Sequence, residues 1–309
     1  MGTLPITLNS NPFQFQVSKM RKVQYKHWLT LPAVIAMLVV LVFPLFYSFG
    51  TSLTRYMLNR PDLRDFYWFN NYKEVLLDPR IFSTMWVTIK FTIGALTVEL
   101  ILGYILASSL IKIPKFRNIF ISVLMVPMMI SPIAVGLLWR LLLHPDLGIV
   151  NYFLDLIGIG GRPWLAVQST ALATVVFIEV WQWTPFVMIL IYAGLLSMPE
   201  EPFEAATIDG ASTWQQFRYL TLPFLRYVII VTAMLRVIDL IKTYDLIFIL
   251  TRGGPGSSTE TFAFYVFYLG FIKLNLGQAA AASYLFVVIV AVVTVFLFSR
   301  LKLAQPTQE

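Results

Sequence analysis

Apolar runs of bilayer length recur along this chain, and no water-soluble fold accommodates six of them. A helix needs about 20 apolar residues to cross the hydrocarbon of a membrane. Leu29–Leu53, Trp86–Leu110, Ile119–Leu143, Ala171–Leu196, Phe224–Ile241 and Ala279–Phe298 reach or approach that length. The fifth is the shortest and most polar. Prolines stand inside the first, third and fourth runs (Pro44, Pro127, Pro132 and Pro185), which membrane bundles tolerate because neighbouring helices satisfy the freed carbonyls. The sequence therefore predicts an all-α, polytopic membrane protein with a bundle of six transmembrane helices. The first run follows a polar tail and exceeds the roughly 7–15 apolar residues of a signal-peptide core. No small-residue cleavage site follows it, so it is expected to remain as a helix.

Composition agrees. Of 309 residues, 58% are hydrophobic and 13% charged, where a soluble domain carries roughly 25% charged residues. Cysteine is absent, which removes disulfides, thiolate metal sites and cysteine nucleophiles. Two histidines, His27 and His144, make a histidine metal site a poor reading. The net charge of +7 fits basic flanks on the cytoplasmic side of helices better than nucleic-acid binding. The chain has no G-x-x-x-x-G-K-[ST] phosphate loop, no G-x-S-x-G elbow and no H-E-x-x-H pair. No catalytic residue, metal or cofactor of its own is expected. The cluster Gly158-Ile-Gly-Gly161 reads as a flexible turn.

Six crossings place both termini on one side. Lys19, Arg21, Lys22 and Lys26, then Lys112, Lys115 and Arg117, then Arg300 and Lys302 would all be cytoplasmic with the amino terminus inside. The opposing loop carries Arg55, Arg60, Arg64, Lys73 and Arg80, so the positive-inside rule separates the two orientations only slightly.

The segment Met198–Pro223 between the fourth and fifth runs is more informative. Pro199 and Pro202 end one helix and open another, with Glu200, Glu201 and Glu204 near the new amino end, where acids complement the helix dipole. Gly210 permits a turn, and Ser212 is placed to cap a second short helix. A helix–turn–helix outside the bilayer follows, either an ordinary amphipathic loop or a docking element.

Glu204-Ala205-Ala206, three residues ending in Asp209, then Gly210, nine residues and Leu220-x-Leu222-Pro223 resembles the EAA signature of permease subunits of ATP-binding-cassette importers. Isoleucine is usual where Leu220 stands. The resemblance continues through Pro132–Asn151, Trp181–Pro185, Asp245–Pro255 and Gly277–Ser283, segments similar to maltose-type carbohydrate permeases; the first 25 residues match nothing. It implies that 198–223 is a cytoplasmic coupling loop seated in an ATPase, with Glu204, Ala205, Ala206, Asp209, Gly210, Leu220, Leu222 and Pro223 as its coupling residues. The expected organisation is a cytoplasmic tail over 1–28, a permease domain over 29–300 and a cytoplasmic tail over 301–309, in a bacterial inner membrane.

Ionisable residues inside a membrane are functional candidates by default. Glu179, Gln182, Trp183 and Phe186 share one helical face by spacing, as do Arg236, Asp239, Leu240 and Thr243. Such stripes suit a sugar, whose hydroxyls take polar partners while its apolar face stacks on an aromatic ring. A structural pair, Glu179 with Arg236, is the other reading. The resemblance favours the first, because these eight positions match those lining the sugar path of the maltose permease, with charges here where that path is neutral. A charged or strongly polar glycoside, with Arg236 facing an acidic group, is the resulting expectation. Lys90 and Glu99 point to nearly opposite faces of the second run, and Glu99 has no evident partner.

The resemblance implies a partnership with a second homologous permease, two copies of an ATPase that bind ATP and Mg, and an extracytoplasmic solute-binding protein. An importer for another solute, such as a polyamine or phosphate, is the near alternative. A secondary transporter would need inverted repeats or broken helices at its site, and no convincing pair is visible.

Overall fold

A computed structural model describes residues 30–304; the expected amino tail over 1–28 lies outside them. The chain divides into two units, residues 1–50 and 51–309. The described part of the first belongs to the apolar helix α1, Thr30–Ser52.

The second unit opens with a feature missing from the sequence reading, an antiparallel hairpin of β1 (Thr54–Met57) and β2 (Arg60–Phe66). Thr54 pairs with Phe66 and Met57 with Arg60, across an irregularity between Arg55 and Met57. Helix α2 (Asn70–Leu77) follows. Its Asn71 is buried and donates to the carbonyls of Ser52 and Thr54, at 2.8 Å each. Asp78 then caps α3 (Pro79–Ile111), accepting from Arg80 N at 2.9 Å with Pro79 in the first turn, where proline's missing N–H costs nothing.

The third apolar run corrects the expectation of a single crossing helix. It forms α4 (Arg117–Met129) and α5 (Pro132–Leu142), which meet at 93°. Pro127 is tolerated inside α4. The break falls at Ile130 and Ser131, because a residue before proline is driven from helical to extended backbone. Ser131 has φ −62° and ψ 144°, and its hydroxyl caps Ala134 N.

Helix α6 (Ile149–Leu156) lies in the following loop, which is folded around Asn151. Helix α7 (Gln168–Leu196) accommodates Pro185 and buries Ile178, Val187, Met188 and Ile191 against α3. Beyond the segment 198–221 runs α10 (Leu222–Lys242), after the short helices α8 (Glu201–Ile208) and α9 (Thr213–Gln216). The connection that follows α10 holds α11 (Asp245–Leu250) and α12 (Phe262–Phe267). The last helix, α13 (Leu276–Ala304), continues past the expected boundary at residue 300.

Among the described residues, four helices are apolar and long enough to cross a membrane (α1, α3, α7 and α13), and the bent pair α4–α5 has that composition in two pieces. Helix α10 spans 21 residues but carries Arg226, Arg236, Asp239 and Lys242. Helix α3 packs along α7, and α10 lies against both. One apolar core joins Phe91, Val175, Ile178, Leu240, Leu246 and Phe264, and a second joins Ala107, Leu110, Met188, Ile191 and Leu225.

Candidate functional site

Two sites emerge, one at the end of the bundle formed by the short helices and one buried within it.

In the first, α8 begins with Pro202 in its opening turn and Glu201 and Glu204 beside its free N–H groups. Glu204 and Ala205 are exposed, and Ala206 is half-buried. Asp209 closes the helix, and Gly210 turns the chain with φ +78°, a conformation that costs any residue with a Cβ roughly 1–2 kcal/mol. Ser212 then caps α9 as its sequence position suggested. Its hydroxyl accepts from Gln215 N at 3.3 Å, and Gln215 Oε1 accepts from Ser212 N at 2.7 Å, a complete capping box. Gln216 Nε2 donates to Thr207 Oγ1 at 3.0 Å and fastens α9 to α8.

From Thr213 the backbone stays helical to Lys242: α9, a π turn over Phe217–Thr221 and α10 follow without a break. A proline ring clashes with the carbonyl four residues earlier, and the wider π turn, ending two residues before Pro223, relieves that crowding. The same arrangement recurs at the π turn Leu38–Val42 before Pro44. Leu220 sits in the π turn and Leu222 and Pro223 open α10. The run makes a rod of roughly 45 Å at 1.5 Å per residue. At and beside its Thr213 end, Ile208, Trp214 and Tyr219 are exposed by 86%, 69% and 72%, a concentration of apolar surface suited to a protein partner.

The second site is built by three helices. Arg236 of α10 is fully buried. Glu99 of α3 accepts from its Nε and Nη2, both at 2.7 Å, and Glu179 of α7 accepts from Nη2 at 2.8 Å. Two charge-assisted bonds along one edge of the guanidinium hold its plane, and Nη1 has no hydrogen-bond partner among the described residues. The guanidinium carbon lies 4.9 Å from the centre of the Trp183 ring, within cation–π range. Within the chain these two carboxylates are the groups that Arg236 meets. The other reading, a structural pairing of Glu179 with Arg236, is present.

The other residues of the two stripes go different ways. Gln182 is buried and donates to Ile130 O at 2.9 Å, the carbonyl freed where the bent run breaks. Leu240 is buried in the core. Trp183 and Phe186 are half-buried and meet edge to face at 6.3 Å between ring centres. Asp239 is exposed and paired with Lys242 at 3.5 Å, and Thr243 Oγ1 donates to Asp239 O. Helical spacing shows which residues share a face; it is silent on the neighbour that face meets. Glu99 is the member that sequence reading left unassigned. The available signal was the cost of an unpaired carboxylate in a membrane, which demands a cation, and among the described residues Arg236 is the buried one.

Residues 99–306 match the family model described as "binding-protein-dependent transport system inner membrane component". A probable ABC transporter permease protein of Sinorhizobium fredii is 40% identical over 276 residues, covering 89% of each chain. The trehalose/maltose transport system permease protein MalF of Thermococcus litoralis is 31% identical over 287 residues, 93% of this chain and 96% of that one. The fold matches a crystal structure of a bacterial ABC transporter that imports the acidic polysaccharide alginate, with a TM-score of 0.78 at 20% identity, over 92% of this chain and 99% of that chain. With two thirds of its length in the family model and relatives aligned nearly end to end, this chain belongs to the inner membrane components of binding-protein-dependent transport systems, as a permease of the ATP-binding-cassette class.

Proposed function

We propose that this chain forms half of the translocation path of a sugar or oligosaccharide importer, powered by a separate ATPase. The exposed pair α8–α9 in rigid helical continuity with α10 carries the reading. An element that docks in a motor must pass displacement into the bundle, and an unbroken helix does so without loss at a hinge. The cargo class rests on the relatives. Besides the trehalose/maltose protein, they include the trehalose permease SugA of Mycobacterium tuberculosis, 30% identical over 285 residues, and the arabinooligosaccharide permease AraP of Bacillus subtilis, 29% identical over 268 residues.

In this reading the chain crosses the inner membrane six times, with the bent pair and α10 among the crossings and both termini in the cytoplasm. A second homologous permease completes the path, two ATPase copies bind ATP and Mg, and an extracytoplasmic binding protein delivers the solute. The permease itself holds no cofactor. Closure of the ATPases around ATP displaces Glu204, Ala205, Ala206, Asp209 and Gly210. The rod ending at Lys242 carries the displacement into the bundle, where α10 packs against α3 and α7. Bundle conformations then exchange as packed rigid bodies. Glu179, Gln182, Trp183, Phe186, Arg236, Asp239, Leu240 and Thr243 belong to the solute path or to the wall that supports it.

The absence of native cysteine makes a clean test. Ala205→Cys should react with a membrane-impermeant maleimide only from the cytoplasmic side, and co-assembly with the ATPase should protect it. Labelling from the outside would end the proposal.

A further inference from the structure

We propose that Glu99 is a positioning residue of the solute path: it fixes the guanidinium of Arg236 against Trp183 and thereby sets the ring on which a saccharide stacks. The inference rests on the reading of Trp183 as part of that path. Glu99 itself is fully buried and reaches no solute.

The geometry assigns the task to Glu99 rather than to Glu179. Glu179 stands one helical turn from Trp183 on α7 and makes a single bond, to Nη2. One bond leaves the guanidinium free to pivot. Glu99 takes Nε and Nη2 together at 2.7 Å, and such paired contact fixes a plane as well as a position. The guanidinium carbon in that plane lies 4.9 Å from the centre of Trp183. The ring, its cation and the group that orients the cation come from α7, α10 and α3 respectively, so the seat of the indole is decided by all three helices.

A guanidinium against part of the indole leaves the rest of a half-buried ring to receive a sugar's apolar face. Trp183 also meets Phe186 edge to face, which braces it within α7. Loosening Glu99 would free the ring to tilt and weaken solute binding, while the coupling segment at the far end of α10 stays intact.

The experiment uses the complete complex in proteoliposomes, and the signal of Trp183 is read as the difference between that complex and the same complex carrying Trp183→Phe. Glu99→Gln should shift Trp183 emission to longer wavelength and raise its acrylamide quenching severalfold, and Glu99→Asp should give an intermediate change. Unchanged emission and quenching in both variants would overturn the assignment. If Glu99→Gln fails to assemble, Glu99→Asp decides by the same two signals. In the same complex, uptake is measured over a panel of neutral disaccharides including trehalose and maltose. There Glu99→Gln should raise KM on the order of tenfold with little change in maximal rate. Trp183→Ala should do the same, and the double variant should add little to either. Additive effects would overturn the role of Glu99. Normal uptake by Trp183→Ala, or no uptake of any saccharide by the wild-type complex, would instead overturn the solute-path reading, while the fluorescence result still judges Glu99 by itself.

Discussion

Arg80 and Glu260, 180 positions apart, form an ion pair that ties the start of α3 to the loop before α12: Arg80 Nη2 donates to both carboxylate oxygens, at 3.0 and 2.9 Å. The Arg80 guanidinium also lies 4.3 Å from the centre of the Tyr268 ring. Beside it, Tyr265 donates to Asp78 at 2.8 Å, and Phe262 N donates to Thr88 Oγ1 at 2.9 Å. Glu260 is 2% accessible, whereas the Arg80 side chain is 39% accessible. Arg80→Ala therefore strands a buried carboxylate, with solvent screening part of the loss. A destabilisation of about 1–2 kcal/mol is expected. Glu260→Gln, which keeps a neutral acceptor for Arg80, should cost less. Thermal unfolding of the detergent-solubilised complex orders the two, and a larger loss for Glu260→Gln would contradict the account.

Gly210 supplies a second expectation. Its left-handed backbone excludes proline, whose φ is locked near −65°, and its N–H donates to Thr207 O at 3.1 Å. Gly210→Pro should leave the protein inserted and assembled but abolish ATP hydrolysis stimulated by the loaded binding protein. Gly210→Ala, with open space around the new Cβ, strains only the backbone and should retain partial activity. Wild-type stimulation in Gly210→Pro would refute the coupling role.

The π turn before Pro223 makes a more discriminating prediction. Pro223→Ala restores the missing N–H and removes the ring, so Phe217–Thr221 can tighten to α-helix. Losing a π turn shifts the helical register by one residue, about 100° of rotation. Trp214 and α8 would then face another direction relative to α10. Uptake per ATP hydrolysed should fall severalfold without loss of assembly, and an unaltered ratio would show that the turn has no part in aiming the segment.

Asn151 organises the loop between α5 and α7. Its amide donates to the carbonyls of His144, Pro145 and Arg162, and its oxygen accepts from Arg162 N and from Trp164 Nε1 at 2.8 Å. Asn151→Ala should destabilise by about 2–3 kcal/mol, because buried donors and acceptors lose their only substitute for water. Asn151→Asp keeps the bond to Trp164 but turns a carboxylate towards three carbonyl oxygens, so it should not rescue. Limited proteolysis between residues 143 and 167 measures both; protection equal to wild type in either variant would show the hub to be dispensable.

What the sequence determined about this protein was local. Bilayer-length apolar runs specified helices in a membrane, and Pro202, Gly210 and Ser212 specified two short helices with a left-handed turn between them. Each signal acts within about one helical turn, through a missing N–H, an absent Cβ or a hydroxyl three residues from its donor. The 93° bend at Pro132 was also written locally, but its likeness to prolines that helices absorb, such as Pro185, concealed it. Tertiary structure alone decided that Glu99 and Arg236, 137 positions apart, share two hydrogen bonds, that Gln182 turns to Ile130, and that residues 54–66 pair as a hairpin. A helical face announces that it will be buried, and only the packing of helices chooses what it is buried against.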